Sequence, residues 1–424
     1  MISNAVVVRG IVISVLASVS PIVFGQEVAA PNPIYWNQWR GPQRTGLVDS
    51  EVLSSRDDLH GLIQSYRQEL GESYSGPIVT RDRIYTTETH AKSEEIVRAV
   101  DRESGETAWQ AQWPGALTVP FFARANGDWI RCTPIFDDGR LYVGGMRDVL
   151  VCLNASSGHE LWRIDFVNQY GSRLPDFGFV SSPLIDGQAL FVQAGAAVFK
   201  IDKFSGKVLW KGIENQGDMM TGGAFSSPII DTLCGVRQLI VQTREELVGV
   251  DLENGSALWR QPVPHFRGMN ILTPVVRGNQ VFTSSYNHGS FLFEIERDEA
   301  SGLWSVKTVW NNKVQGYMSS PVVIDGHIYL HLQNQRFTCL KWETGEERWR
   351  TSPFGKYWSM VAAGDRMLAL DERGELLLIR ANPEKFELLD RKKIADESTW
   401  AHLALYDDQV IIRELKALSV FRWQ

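Results

Sequence analysis

Val100-Asp101-Arg102-Glu103-Ser104-Gly105-Glu106-Thr107-Ala108-Trp109 is the stretch on which the fold turns. An apolar run ends at Asp101, glycine follows four residues later and tryptophan eight residues later. The same spacing returns at Leu153-Asn154, Gly158, Trp162; at Ile201-Asp202, Gly206, Trp210; and at Val250-Asp251, Gly255, Trp259. Leu340-Lys341, Gly345, Trp349 keeps the glycine and tryptophan but loses the acid. This is a hairpin signature. An Asx side chain bonds backbone two residues on, and glycine takes the left-handed turn position.

A second pattern precedes each copy: Ser or Thr, then Pro, two apolar residues, a short Asp/Gly turn and a β-branched or aromatic run. It occurs at Ser75-Gly76-Pro77, Thr133-Pro134, Ser182-Pro183, Ser227-Pro228, Thr273-Pro274 and Ser320-Pro321. Weaker copies stand at Trp358-Ser359-Met360 and Trp400-Ala401-His402. Spacings of 39 to 57 residues between copies suit four short strands and their turns. Eight such units predict an all-β chain: an eight-bladed β-propeller of four-stranded antiparallel blades.

In the fifth unit Trp304 lies too far from Pro321. Trp310 stands at the distance that Trp349 keeps from Met360, so Trp310 takes the repeat slot and Asp298 to Gly302 becomes an enlarged hairpin. Tyr66 precedes Pro77 by that same distance. Leu62 to Leu70 therefore reads as an outer strand without a blade of its own, and Val410 to Trp423 as strands lacking a last partner. The N-terminal strand is expected to close the last blade, removing the exposed edge.

The apolar-Asp-x-x-x-Gly-x-x-x-Trp pattern resembles the tryptophan-docking repeat of pyrroloquinoline-quinone (PQQ)-like β-propellers. That family includes quinoprotein alcohol dehydrogenases and the propeller lipoprotein of the outer-membrane barrel assembly machine. The resemblance covers residues 62–424. It implies that Trp109, Trp162, Trp210, Trp259, Trp310 and Trp349 dock against neighbouring blades. It does not by itself select a function. Family dehydrogenases carry two adjacent cysteines beside the quinone and a Glu/Asn/Asp calcium set; no two Cys are adjacent here, and the calcium set finds no matching positions. No cofactor is therefore expected, with PQQ and Ca²⁺ kept for an alternative reading as a quinoprotein oxidoreductase.

Composition narrows the partners. The chain has 424 residues, 22% of them charged, with 43 basic against 50 acidic side chains and a net charge of −7. No Lys/Arg cluster of the kind a phosphate backbone needs is present, so nucleic acid is not an expected partner. Cys132, Cys152, Cys234 and Cys339 form no zinc or CxxC spacing, and no disulfide is expected between Cys152 and Cys339. His327 and His331 share a strand-like run in which four residues span about 13 Å, too far for one metal. No HExxH, Walker loop, GxGxxG or GxSxG occurs, and no metal site is expected.

Ile11 to Phe24 is apolar after the single charge of Arg9, yet shorter than the roughly 20 residues of a membrane span. With small residues before Gln26, residues 1–25 read as a signal peptide, implying a periplasmic or secreted protein. No lipid anchor of the bacterial lipoprotein type is expected, since no Cys precedes Cys132. Residues 26–60 read as an arm whose Trp36-Asn37-Gln38-Trp39-Arg40-Gly41-Pro42 docks on the propeller, and residues 61–424 as one domain. A monomer is expected.

Asp101, Asn154, Asp202 and Asp251 could be taken for a ring of cation ligands, but one turn position repeated in separate blades keeps them far apart. They read as turn formers. Function belongs to the loops between blades. From motif Trp to the next Pro these shorten from 25 residues at the first junction to 15 at the fourth and 11 later, so long loops crowd one half of one face. Their side chains are the binding candidates: Trp113, Phe121, Phe122, Arg124, Trp129 and Arg131; Tyr170, Arg173, Asp176 and Phe177; Asp218, Met219 and Met220; His265, Arg267, Met269 and Asn270. Aromatic residues with Arg are the composition of binding hot spots. A plug for the channel mouth is the alternative. The leading expectation is a non-catalytic exported module that binds an envelope protein or polymer.

Overall fold

The computed structural model describes residues 1–2, 35–215, 217–218 and 221–424. The expected signal segment and Met219 and Met220 lie outside the described residues. Among the described residues the strands form eight four-stranded antiparallel sheets, arranged as the blades of a propeller. Blade one contains Ile78–Val79, Arg83–His90, Glu94–Asp101 and Thr107–Pro114. Blades two to seven repeat this order over residues 135–393. Blade eight takes Ala404–Tyr406, Gln409–Arg413 and Ala417–Trp423 from the C-terminus and Leu62–Glu69 from the N-terminus. Leu62 pairs with Trp423 and Glu69 with Ala417, so the ring is closed by backbone hydrogen bonds between the two ends of the domain.

The hairpin motif builds a repeated joint. Asp101 Oδ1 accepts from the Glu103 and Ser104 amides, and Gly105 N donates to Asp101 O at 2.9 Å. Asn154, Asp202 and Asp251 cap their own turns in the same way. Each motif Trp then faces a β-bulge on the third strand, Trp109 opposite Ala99, Trp162 opposite Cys152 and Trp210 opposite Lys200. From there the indole reaches the next blade. Trp109, Trp162, Trp210, Trp310 and Trp349 donate to the carbonyls of Ala155, Lys203, Leu252, Trp342 and Asn382 at 2.7–3.1 Å. For the first four, the ring lies over that blade's motif glycine (Gly158, Gly206, Gly255 and Gly345), where any Cβ would collide with it.

Trp259 is buried in one cluster with Val281, Phe291, Phe293 and Ile295 of blade five, but its hydrogen bond differs from those of the other motif tryptophans. Blade five extends its outer hairpin to strands Gly289–Arg297 and Trp304–Asn312, which carries its turn glycine, Gly302, away from the slot. The Trp259 indole instead donates to Gln238 in its own blade at 2.6 Å. Tyr66 fills the slot in the closing blade: its ring packs on Gly105 and its hydroxyl donates to Arg102 O at 3.2 Å.

The Ser/Thr of the second pattern is a blade-to-blade link. Thr133 Oγ1 accepts from Gly76 N, Ser182 Oγ from Thr133 N, Ser227 Oγ from Ser182 N and Ser320 Oγ from Thr273 N. Proline then starts the inner strand, where its missing N–H costs nothing.

Residues 36–48 run across the channel. Trp36 and Asn37 accept from Val79 N and Phe136 N on blades one and two. Trp39 Nε1 reaches Thr273 on blade five at 3.0 Å. Arg40 donates to Pro321 O on blade six, Arg44 to Ser182 O and Pro183 O on blade three, and Val48 N to Ala362 O on blade seven. Both guanidiniums are buried, and desolvation lowers each to about 9. Beyond the crossing, Asp57 pairs with Arg366 and Arg380, and Leu59 N donates to Asp390, which holds the chain on blade seven. No helix among the described residues is long and apolar enough to cross a membrane.

Candidate functional site: a blind cavity at the channel mouth

The long loops and the first residues of the inner strands enclose a cavity of about 450 Å³. Trp39 of the arm and His402 of blade eight line it, with their rings 5.1 Å apart, and the crossing arm closes the channel beneath them. The wall follows the repeat register. Two residues before Gly76 of the first copy and before the Ser/Thr slot of the next six stand Tyr74, Arg131, Val180, Phe225, Ile271, Met318 and Tyr357, and all seven line the cavity. Period-2 alternation turns that position toward the channel together with the slot residue itself, as Ser182, Ser227, Thr273, Ser320 and Ser359 show.

Aromatic contacts run round the wall. Tyr357 stacks on Trp400 with centroids 3.6 Å apart, Trp400 meets Tyr74 at 4.2 Å, and Tyr74 meets Trp129 at 5.3 Å. On the opposite side Phe122, Phe177 and Phe225 form a chain, and Phe266, Tyr286 and Tyr317 another. The first loop spans the mouth: its 3-10 helix, Phe121–Asn126, places Asn126 where it accepts from the Tyr357 hydroxyl of blade seven at 3.2 Å.

The polar groups are one-sided. Arg131, Arg244 and Arg267 line the cavity, and among the described residues no Asp or Glu does. Arg244 is buried with its carbon 4.2 Å from the Phe225 ring centre; it donates to the carbonyls of Gly268, Gly222 and Arg267, and burial lowers it to about 10. Arg131 bonds Trp129 O and Gly127 O and is likewise lowered to about 10 by burial. His402, desolvated and close to Arg40, is lowered to about 3 and is neutral. Among the described residues no group of three or more His, Cys, Asp or Glu is placed to hold a metal ion. His327 and His331 sit on one strand, and the buried His331 stacks on Trp358.

Of the loop candidates, the cavity brings together Phe122, Arg131, Phe177, Arg267 and Met269. Phe121 stands outside it on the rim, 79% exposed, with Arg124 exposed on the same turn. Trp129 is half-buried against Tyr74. Tyr170 packs on Phe166 and Phe199, while Arg173 pairs with Asp176 at 3.0 Å. His265 Nδ1 accepts from Gly268 N, and the buried Asn270 donates to Arg244 O. Asp218 caps its own turn by accepting from Thr221 N. Trp113 differs from the rest: it is 4% exposed and donates to the buried carboxylate of Glu95 at 2.8 Å, so it anchors the loop from within the core. Loop reading alone passes over Tyr74, Phe225, Tyr317, Tyr357 and Trp400, because they sit next to the strands; counting back two residues from Gly76, Ser227 and Ser359 finds Tyr74, Phe225 and Tyr357.

The family model described as outer membrane protein assembly factor BamB matches residues 92–351. Among curated relatives, the outer membrane protein assembly factor BamB of Moranella endobia is 24% identical over 81% of this chain and 84% of its own length. That of Yersinia pestis is 22% identical over 61% of this chain and 62% of its own length. In solved structures, BamB from Moraxella catarrhalis superposes with a TM-score of 0.62 at 14% identity, covering 86% of this chain and 98% of that one. A europium-containing methanol dehydrogenase gives 0.65 at 12% identity, covering 91% and 98%. At such identities the structural likenesses speak to the fold alone. The blade repeat, the closed ring and the match over residues 92–351 together place the chain in the BamB-like family of PQQ-repeat propellers.

Proposed function

We propose that this chain is a non-catalytic scaffold of the bacterial envelope that binds polypeptide partners through its long-loop face. One observation carries the reading: a blind cavity walled by aromatics and Arg that continues outward to the exposed Phe121 and Phe122. Exposed aromatic patches of this kind mark interaction sites, and aromatics with Arg dominate binding energies. The curated relatives carry the name of an outer membrane protein assembly factor, which agrees with a partner-binding role. Export rests on the apolar segment Ile11 to Phe24. The test is retention of envelope polypeptides by the immobilised protein and by a Phe121→Asp/Phe122→Ser variant. The reading expects a discrete partner held by the first and lost from the second, and equal retention by both contradicts it.

The quinone-enzyme alternative draws on the fold shared with a methanol dehydrogenase. Calcium takes oxygen ligands, largely carboxylates. With no Asp or Glu among the described residues of the cavity wall, the residues present do not fit a calcium-bound quinone. Titration with PQQ and Ca²⁺ checks this directly; saturable binding with alcohol-dependent dye reduction would replace the scaffold by an oxidoreductase.

A further inference from the structure

The chain carries a net charge of −7, yet Arg131, Arg244 and Arg267 line the cavity and, among the described residues, no carboxylate does. The nearby acids stand outside the lining: Asp128 accepts from Val119 N, Asp176 pairs with Arg173, and Glu245 stands 3.8 Å from His265. Asp176, Asp218 and Glu245 together offset Arg244, and Asp128 offsets Arg131, whose guanidinium also bonds the carbonyls of Trp129 and Gly127; this leaves the exposed Arg267 as the cation offered to an occupant. An exposed cation beside a wall of ring faces calls for an occupant that brings acidic groups and flat apolar surface. At about 450 Å³ the space holds a few side chains rather than a folded element.

The arm supplies the second constraint. Trp39 and the residues behind it cross the channel and are tied to blades three, five, six and seven, so nothing threads through. An occupant must enter and leave by the loop face. We infer that the cavity receives the protruding end or loop tip of a polypeptide partner, one that combines acidic and aromatic side chains. This rests on the scaffold reading and specifies what that face recognises. A rim of exposed rings reaching to Phe121 favours a polypeptide over a free small acid, because it extends the contact beyond what a buried small molecule covers.

Short synthetic peptides test it, with the quenching of tryptophan fluorescence as readout, since Trp39, Trp358 and Trp400 line the site. A peptide carrying Phe and Glu is expected to saturate the protein, while matched peptides with Lys for Glu or Ser for Phe bind at least about tenfold more weakly. Arg267 is exposed, so Arg267→Glu leaves the fold intact by thermal melting and weakens the acidic peptide at least about tenfold. Raising salt from about 50 to about 500 mM weakens the wild type in the same direction. Equal affinity for the Lys peptide, or indifference to Arg267→Glu, overturns the proposal. So does full competition by free phenylpropionate at the peptide's own concentration, which would make this a small-acid site. If a polypeptide crosslinks at Phe121 while no peptide binds the cavity, the scaffold reading stands and this inference falls.

Discussion

Gly206 shows how one residue type secures a joint between blades. Its φ of 73° belongs to the left-handed region, and an added Cβ would lie 2.8 Å from Trp162 Cδ2, so backbone and packing both demand glycine. Gly206→Ala is expected to cost about 2–3 kcal/mol, read from the denaturant midpoint. Asp148 makes a different kind of demand. It is buried, accepts from Gly195 N across the junction of blades two and three, and leaves Oδ1 without a partner. Desolvation raises its carboxyl from 3.8 to about 7. The folded state therefore holds a proton between those values that the unfolded chain has released. Stability from this group falls as pH rises through that window, on the order of 1 kcal/mol per unit, and is level above it. Asp148→Asn is expected to flatten the decline and to raise the midpoint at pH 8 but not at pH 4. An unchanged pH profile would place the cause elsewhere. Glu95, raised to about 7 by burial, adds a decline of the same sign that the variant leaves in place.

At the scale of elements, two segments hold the ring without belonging to its repeat. The strand Leu62–Glu69 closes blade eight, and its Tyr66 docks on Gly105 as the motif tryptophans dock elsewhere. Tyr66→Ala is expected to lower stability by about 3 kcal/mol in equilibrium unfolding, while Ile63→Ala on the same strand, 45% exposed, changes little. The arm is held by charge-assisted bonds to backbone carbonyls. Arg44→Ala removes two of them, to Ser182 and Pro183, and leaves both oxygens buried. A loss of about 2–3 kcal/mol follows, together with faster proteolysis within residues 36–48 if the crossing loosens. Resistance equal to wild type would show that the arm does not depend on this anchor.

Across the whole molecule, the parts of the fold carried by repeated local chemistry could be read from sequence, and those set by unique long-range contacts could not. Asx turns, left-handed glycines and Ser/Thr-Pro strand entries recur in register, so eight blades and the closing strand follow from spacing. The arm's path was hidden because Arg40 and Arg44 recognise main-chain carbonyls, which carry no residue identity. The hydrogen bond of Trp259 is illegible for a related reason: whether its indole N–H finds a carbonyl of blade five depends on a hairpin extended in that blade, not on its own motif. The candidate site was half visible. Loop lengths pointed to the correct face and to Phe122, Arg131, Phe177, Arg267 and Met269, whereas the other half of the wall is contributed by strand entrances whose aromatics look like core. Trp113 has the composition of a contact residue and the burial of a structural one; only the Glu95 carboxylate beneath it separates the two.

The central claim, a partner-binding face at the channel mouth, is tested most directly by a photo-crosslinking side chain placed in living cells at Phe121 on the rim and, separately, at Leu209 on an outer strand, 50% exposed. The account predicts a discrete polypeptide adduct at position 121 and none at 209. Adducts at 209 alone, or at neither position, would contradict it.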